Sequence, residues 1–159
     1  MINITLKFNG KQIDFSEILD ENELKKELQE VNLGSIDMEV EINDLPALED
    51  ALYSFKIETI DDLVRLYQII NNLNELDDED LIKVDYLIYS GNSIEDALFD
   101  YNTIDVFEGT LEEFAEHLLE ERLGTEDYNW IVSYIDFDKL TKDLEIDGYT
   151  EYNGRVFYC

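Results

Sequence analysis

Most of the side chains in this sequence that could do chemistry are carboxylates. They are densest in Ser93–Asp138, a segment with 14 acidic residues and one Lys or Arg, Arg122. Within it, Glu112, Glu116 and Glu120 recur every four residues beside apolar positions at helical spacing. This pattern predicts a row of acids on the exposed face of a helix, about 6 Å apart. Like charges at that spacing destabilise a helix by roughly 0.2–0.5 kcal/mol per pair, so helix stability does not explain the row.

The acidity extends over the whole chain. It has 40 acidic and 11 basic residues and a net charge of −29, and both halves contribute. Because 45% of the residues are hydrophobic and 10 are tyrosines, the chain can bury a core and is not a disordered acidic tail. The charge excludes nucleic acid and anionic membranes as partners and favours fast, salt-dependent association with a basic protein. Halophilic proteins are similarly acidic, but the Ile, Asn and Lys usage is more typical of a mesophile.

Few residues suit catalysis or metal binding. His117, the only histidine, lies among glutamates, where a solvated surface role is the simplest interpretation. A single cysteine, Cys159, excludes an internal disulfide and a multi-cysteine metal site. Asp136 and Asp138 begin like a calcium loop, but its sixth position is Thr141 instead of glycine. We therefore predict no enzyme activity, no cofactor and no dedicated metal site.

The pattern of strands and helices predicts an α+β fold, arranged as three small units. Residues 1–45 are predicted to form a ββαβ unit, with a turn at Asn9 and Gly10 and a helix that begins after Asp20 and ends at Gly34. Residues 46–101 follow the only proline and form a small helical bundle. Residues 102–159 form an α+β unit. Its predicted elements are a strand over Thr103–Phe107, a helix between Thr110 and Gly124, a short helix over Phe137–Leu144 and a terminal hairpin across Asn153 and Gly154.

An aromatic cluster between Tyr128 and Phe137 has two interpretations. The simpler one is that it forms the core of the third unit. The other is that Trp130 and its neighbours are partly exposed and contact a second subunit, since Trp and Tyr favour interfaces. The residues assigned to this dimer interface are Tyr128, Trp130, Ile131 and Tyr134.

Regularly spaced carboxylates on rigid helices can imitate DNA. B-DNA presents one phosphate per ~3.4 Å along each strand, and proteins bind it with Lys and Arg. A rigid mimic avoids the ordering entropy that a flexible acidic tail loses on binding. The alternative is a solvated acidic face that maintains solubility. The acids assigned to a mimic surface are Asp77, Asp78, Asp80, Glu95, Asp96, Asp100, Asp105, Glu108, Glu112, Glu113, Glu116, Glu120, Glu121, Glu126 and Asp127.

The carboxyl-terminal sequence resembles the ArdA family of antirestriction proteins. The similar residues are Tyr134–Leu144 (YIDFDKLTKDL), Glu145–Gly148 (EIDG) and Gly154–Phe157 (GRVF), with Lys142 in place of an arginine. The order of helices and acidic segments is similar over most of residues 42–159. The amino-terminal part departs from the family, whose members begin with a stretch rich in Tyr, Asn and Gly.

The resemblance implies an elongated protein that forms a homodimer through its third unit, with an antirestriction segment at about Leu123–Asp136. It implies a non-catalytic mimic of bent duplex DNA that blocks type I restriction-modification enzymes and is carried on a mobile genetic element. Met1 leads directly into a strand pattern without a signal peptide or spanning segment, so we expect a cytoplasmic protein. Two alternatives remain: an acidic adaptor for a basic protein unrelated to DNA, and a hydrolase with a close pair of carboxylates.

Overall fold

A computed structural model describes residues 2–8, 10–28, 33 and 36–158 of the chain. It divides into two compact units, Met1–Tyr101 and Asn102–Cys159, here called the N-terminal and C-terminal units. Each contains a three-stranded antiparallel sheet together with helices, which confirms the predicted α+β class. The N-terminal unit includes both the predicted ββαβ segment and the predicted helical segment, because apolar residues from both segments share one core.

The N-terminal sheet consists of β1 (Asn3–Phe8), β2 (Lys11–Asp14) and β3 (Asp37–Glu41), with β1 in the centre. The central strand is paired on both sides, and its apolar residues Ile4, Leu6 and Phe8 are buried in the core. Helix α1 (Glu21–Glu27) begins after Asp20, whose carboxylate accepts hydrogen bonds from two backbone N–H groups of the first turn. The predicted turn residue Asn9 and helix end Gly34 lie outside the described residues.

The predicted small helical bundle of this unit consists of α2 (Pro46–Tyr53), α3 (Ile60–Asn74), α4 (Asp78–Tyr89) and α5 (Ile94–Asp100). Helix α3 begins with a capping box, in which Thr59 and Asp62 exchange hydrogen bonds with each other's backbone N–H. Helix α2 has no side-chain cap of its own. Instead, the buried carboxylate of Asp85 on α4 accepts a hydrogen bond of 2.8 Å from the N–H of Leu48.

The C-terminal unit pairs its strands in the order β4 (Asp105–Glu108), β6 (Arg155–Tyr158) and β5 (Thr150–Tyr152). The terminal hairpin is as predicted, and β4 joins its outer side from about 50 residues earlier in the chain. Helix α6 (Leu111–Leu123) begins after Thr110 with a second capping box and ends at Gly124, both as predicted. Helix α8 (Phe137–Ile146) is slightly longer than predicted.

Helix α7 (Thr125–Ile131), followed by a 3₁₀ turn over Val132–Tyr134, carries most of the aromatic cluster. None of its residues is buried, so it lacks the apolar stripe that makes a helix visible in a sequence. The core of this unit is small and centres on Phe114, whose ring lies 5.1 to 5.3 Å from those of Phe107, Tyr149 and Tyr158.

Gly109 shows how closely β4 and α6 approach each other. It has φ of +144°, and a Cβ atom there would lie 2.8 Å from a carboxylate oxygen of Glu113 and 2.9 Å from the Phe107 ring. A side chain would therefore displace the residue that completes the α6 capping box. Glycine at this position lets the first turn of α6 form directly after the strand.

Candidate functional site

The acidic row Glu112, Glu116 and Glu120 lies on helix α6. Leu111, Phe114 and Ala115 are buried in the core, which turns the opposite face of the helix to solvent. Glu112 and Glu120 are exposed there, and Glu116 between them is half-buried. The row therefore stands on a helix that is held both by packing and by a cap.

The capping box fixes the start of this row. The carboxylate of Glu113 accepts a hydrogen bond of 2.8 Å from the Thr110 N–H, and the Thr110 hydroxyl accepts one of 3.2 Å from the Glu113 N–H. Such a cap contributes about 1 kcal/mol to a helix. Glu112 and Glu113 also lie at the positive end of the helix dipole, where carboxylates are favourable. The first turn therefore holds its acids in a defined geometry.

Helix α7 extends the acidic surface and brings an aromatic side chain to it. Glu126 and Asp127 are exposed in its first turn, and the Glu120 carboxylate accepts a hydrogen bond of 3.1 Å from the Thr125 hydroxyl. The pKa of Tyr128 is raised above its ordinary value, first by partial desolvation and then by the negative charges of Glu116 and Glu120. Tyr128 therefore borders the acidic row.

None of the 15 carboxylates assigned to a mimic surface is buried. Four are half-buried: Asp80, Glu95, Asp100 and Glu116. The six from Asp77 to Asp100 lie in the N-terminal unit, and the nine from Asp105 to Asp127 lie in the C-terminal unit. Several of the six also have local roles: the Asp77 side chain accepts from the Asp80 N–H, and Asp96 exchanges hydrogen bonds with Ser93.

The mimic acids of the two units differ in whether any of them forms an ion pair with a Lys or Arg. In the N-terminal unit, Arg65 pairs with Glu95, and the largely buried Lys83 lies 3.6 Å from Asp80 and 2.8 Å from Glu79. Among the described residues of the C-terminal unit, no Lys or Arg lies within 4.0 Å of a carboxylate. The acids on α6 and α7 therefore have no base within that distance among the described residues, whereas Asp80 and Glu95 of the N-terminal unit do.

The aromatic cluster divides between surface and core. Trp130 and Tyr134 are 75% and 80% exposed, with ring centroids 6.2 Å apart, while Tyr128 and Ile131 are half-buried. Phe137 packs against the core. The interpretation of the whole cluster as core is therefore wrong for Trp130 and Tyr134, because neither α7 nor the 3₁₀ turn after it contains a buried residue.

Other candidates for chemistry are not assembled into a site in the part of the chain that the structure describes. His117 is exposed and stacks on Phe107, with ring centroids 5.5 Å apart. Within those residues, no three His, Cys, Asp or Glu side chains converge as a metal site would require. Nor does any helix there have both the length and the apolarity to cross a bilayer. Cys159 lies outside the described residues.

These features define the class of the protein: an acidic α+β protein that presents a row of carboxylates on a capped and packed helix, with no base within 4.0 Å of them among the described residues. The family model of the antirestriction protein ArdA matches residues 7–157. The chain therefore belongs to the ArdA family, as its carboxyl-terminal motifs indicated, and the family's activity is the inhibition of restriction-modification. The match begins within β1, so it includes the amino-terminal part that had looked divergent. No curated protein matches the chain.

Proposed function

We propose that this protein inhibits type I restriction-modification enzymes as a DNA mimic and occupies the groove in which they bind DNA. The observation that carries this proposal is the row Glu112, Glu116 and Glu120, which stands on a capped helix without a compensating base. A groove lined by Lys and Arg to hold phosphates would attract such a row for the same electrostatic reason. The protein would act by occupancy alone, without catalysis.

The spacing of the acids supports mimicry by a surface and not by one row. Residues four apart on a helix are separated by ~6 Å along its axis, whereas each strand of B-DNA carries one phosphate per ~3.4 Å of the duplex axis. One helical row therefore carries only about half the charge of one strand per unit length of axis. Glu113 and Glu121 beside the row, and Glu126 and Asp127 on α7, add the further exposed carboxylates that such a match requires.

A competition assay tests the proposal. A type I methyltransferase bound to labelled duplex DNA is titrated with the protein at low salt, and release of the DNA is followed by fluorescence anisotropy. We expect full displacement, with an apparent affinity that falls steeply as salt is raised. Binding that DNA does not compete with would instead favour the acidic adaptor. No displacement at large excess would contradict mimicry.

We also propose that the protein acts as a homodimer in the cytoplasm, joined through Tyr128, Trp130, Ile131 and Tyr134. The exposed Trp130 and Tyr134 support this, because such residues dominate protein interfaces. A unit with a small core also gains from burying more surface. The family resemblance further supports carriage on a mobile genetic element.

Sedimentation tests the dimer. The double variant Trp130→Ser and Tyr134→Ser should be monomeric at concentrations where the wild type is dimeric. Phe99→Ser is a matched control, because Phe99 is 83% exposed but lies in the N-terminal unit. A monomeric wild type would contradict the proposed dimer. A variant that still dimerises would show that the interface lies elsewhere.

A further inference from the structure

An open groove lies between α6 and α8 in the C-terminal unit. Its apolar part includes Leu118 and Leu119 of α6 and Leu140 of α8, and its polar end includes Arg122, Asp143 and Asp147. The groove forms because the two helices pack side by side and both present residues at the spacing i, i+3, i+4 and i+7 to it. None of these residues belongs to the acidic row.

The groove has room for one side chain. Its volume is about 190 Å³, and an apolar cavity of roughly 150 Å³ is sufficient to hold a benzene ring. Leu118 and Leu140 also pack against the core. Leu119 is half-buried and lines the groove, but it does not belong to the residues packed against the core. Apolar surface therefore remains available to an aromatic or branched side chain from outside.

The charges at the polar end select the kind of partner. Asp143 and Asp147 outnumber Arg122 there, and among the described residues none of the three is within 4.0 Å of an opposite charge. A partner with a Lys or Arg beside its apolar side chain would be attracted to this end. A second copy of this chain, with a net charge of −29, would bring more negative charge to it.

We propose that this groove binds an apolar side chain flanked by Lys or Arg on the restriction-modification enzyme, as an anchor beside the acidic mimic surface. The inference rests on the proposed function. Attraction between exposed charges is screened by salt, whereas burial of apolar surface is not. The groove would therefore supply a part of the affinity that persists at salt concentrations where the acidic row is screened.

The test compares Leu119→Ser with Ile146→Ser in the methyltransferase competition assay at low and high salt. Both variants remove an apolar side chain from the same unit, but Ile146 is 81% exposed on α8 and does not line the groove. We expect Leu119→Ser to inhibit roughly tenfold more weakly at both salt concentrations, and Ile146→Ser to match the wild type. Equal inhibition by the two variants, or a loss confined to low salt, would overturn the inference.

Two further measurements separate the possible failures. A wild type that displaces no DNA would refute the proposed function and this inference with it, whereas displacement by both variants at the wild-type concentration would refute the groove alone. If Leu119→Ser changes the sedimentation of the protein, the groove binds a second copy and the inference is wrong. Leu119→Trp serves if the serine variant fails to fold. It fills the groove, and we expect the same tenfold loss at both salt concentrations.

Discussion

The two units of this protein carry their negative charge in different ways. The N-terminal unit has 25 acidic and 7 basic residues, and the C-terminal unit has 15 and 4. Bases in the N-terminal unit lie beside acids, as in the pairs of Lys7 with Glu39 and Arg65 with Glu95. In the described part of the C-terminal unit no such pair forms. The sequence composition is similar in the two units, so the difference arises from where the folds place the bases.

The two units also differ in the size of their hydrophobic cores. Among the described residues, 23 buried hydrophobic residues form the core of the N-terminal unit, and five form that of the C-terminal unit. An exposed ion pair contributes only about 0–1 kcal/mol, so ion pairing does not explain why one unit is better packed. The comparison indicates that the N-terminal unit supplies stability, whereas the C-terminal unit presents charge and exposed aromatic surface.

The largest effect is expected from removing the central aromatic residue of the small core. Phe114→Ala should cost about 3–5 kcal/mol, which we expect to unfold the C-terminal unit and leave the N-terminal unit folded. Leu63→Ala, at a fully buried position of α3, should destabilise the larger core without unfolding it. Amide hydrogen exchange resolves the two units, and loss of protection in both after Phe114→Ala would show that they unfold as one.

Neutralising the acidic row should have the next largest effect. Replacement of Glu112, Glu116 and Glu120 by Gln should weaken inhibition on the order of tenfold or more at low salt. It should change the free energy of unfolding little, because two i,i+4 repulsions worth about 0.4–1 kcal/mol disappear while Glu112 loses a favourable interaction of about 0.3–1 kcal/mol with the helix dipole. Competition assays and chemical denaturation measure the two effects.

The control for this variant changes the net charge equally at paired acids in the N-terminal unit. Glu21, Glu39 and Glu79 each lie beside a lysine, and their replacement by Gln should leave inhibition near that of the wild type. Equal losses in the two triple variants would mean that net charge, and not the row, determines inhibition.

A smaller and more closely matched effect is expected at the two capping boxes. Thr59→Ala and Thr110→Ala remove the same type of cap from α3 and α6, and each should cost about 1 kcal/mol of stability. Only Thr110→Ala should also weaken inhibition, because it frays the turn that carries Glu112 and Glu113. Equal inhibition by the two variants would show that the cap on α6 does not support the acidic surface. Unequal stabilities would show that the two caps are not equivalent.

The smallest effects concern pH and have opposite signs in the two units. The Ser16 hydroxyl lowers the pKa of Asp14, and the Thr59 side chain lowers that of Asp62. Their contribution to stability is present above the ordinary carboxyl pKa of 3.8 and is lost as pH falls through the lowered values. The N-terminal unit should therefore weaken in acid, and Asp62→Asn should reduce that pH dependence in hydrogen exchange.

In the C-terminal unit, burial and then the negative charge of Asp105 raise the pKa of Tyr158 above 10.0. Its contribution to stability is complete below pH 10.0 and is lost as pH rises through the raised value. The fluorescence of Trp130, the only tryptophan, should report loosening of this unit in alkali. Tyr158→Phe should remove that change, and an unaltered alkaline transition would contradict the assignment.

Some of the candidate surface could be predicted without the structure. The row on α6 follows from a spacing of four residues, and its start and end follow from Thr110, Glu113 and Gly124. The exposure of Trp130 and Tyr134 could not be predicted, because an aromatic segment has the same composition whether it is buried or not. The ion pair of Arg65 with the predicted mimic acid Glu95 was also outside its reach, since these two residues lie on different helices.

The sequence by itself determined the α+β class, the helix starts, the terminal hairpin and membership of the ArdA family. These depend on residues within a few positions of each other, where backbone hydrogen bonding and side-chain spacing decide the outcome. Only the tertiary structure decided that β4 pairs with β6, that Asp85 caps α2, and that α6 and α8 leave a groove between them. Those arrangements join segments tens of residues apart, and their free energy comes from packing that no local pattern records.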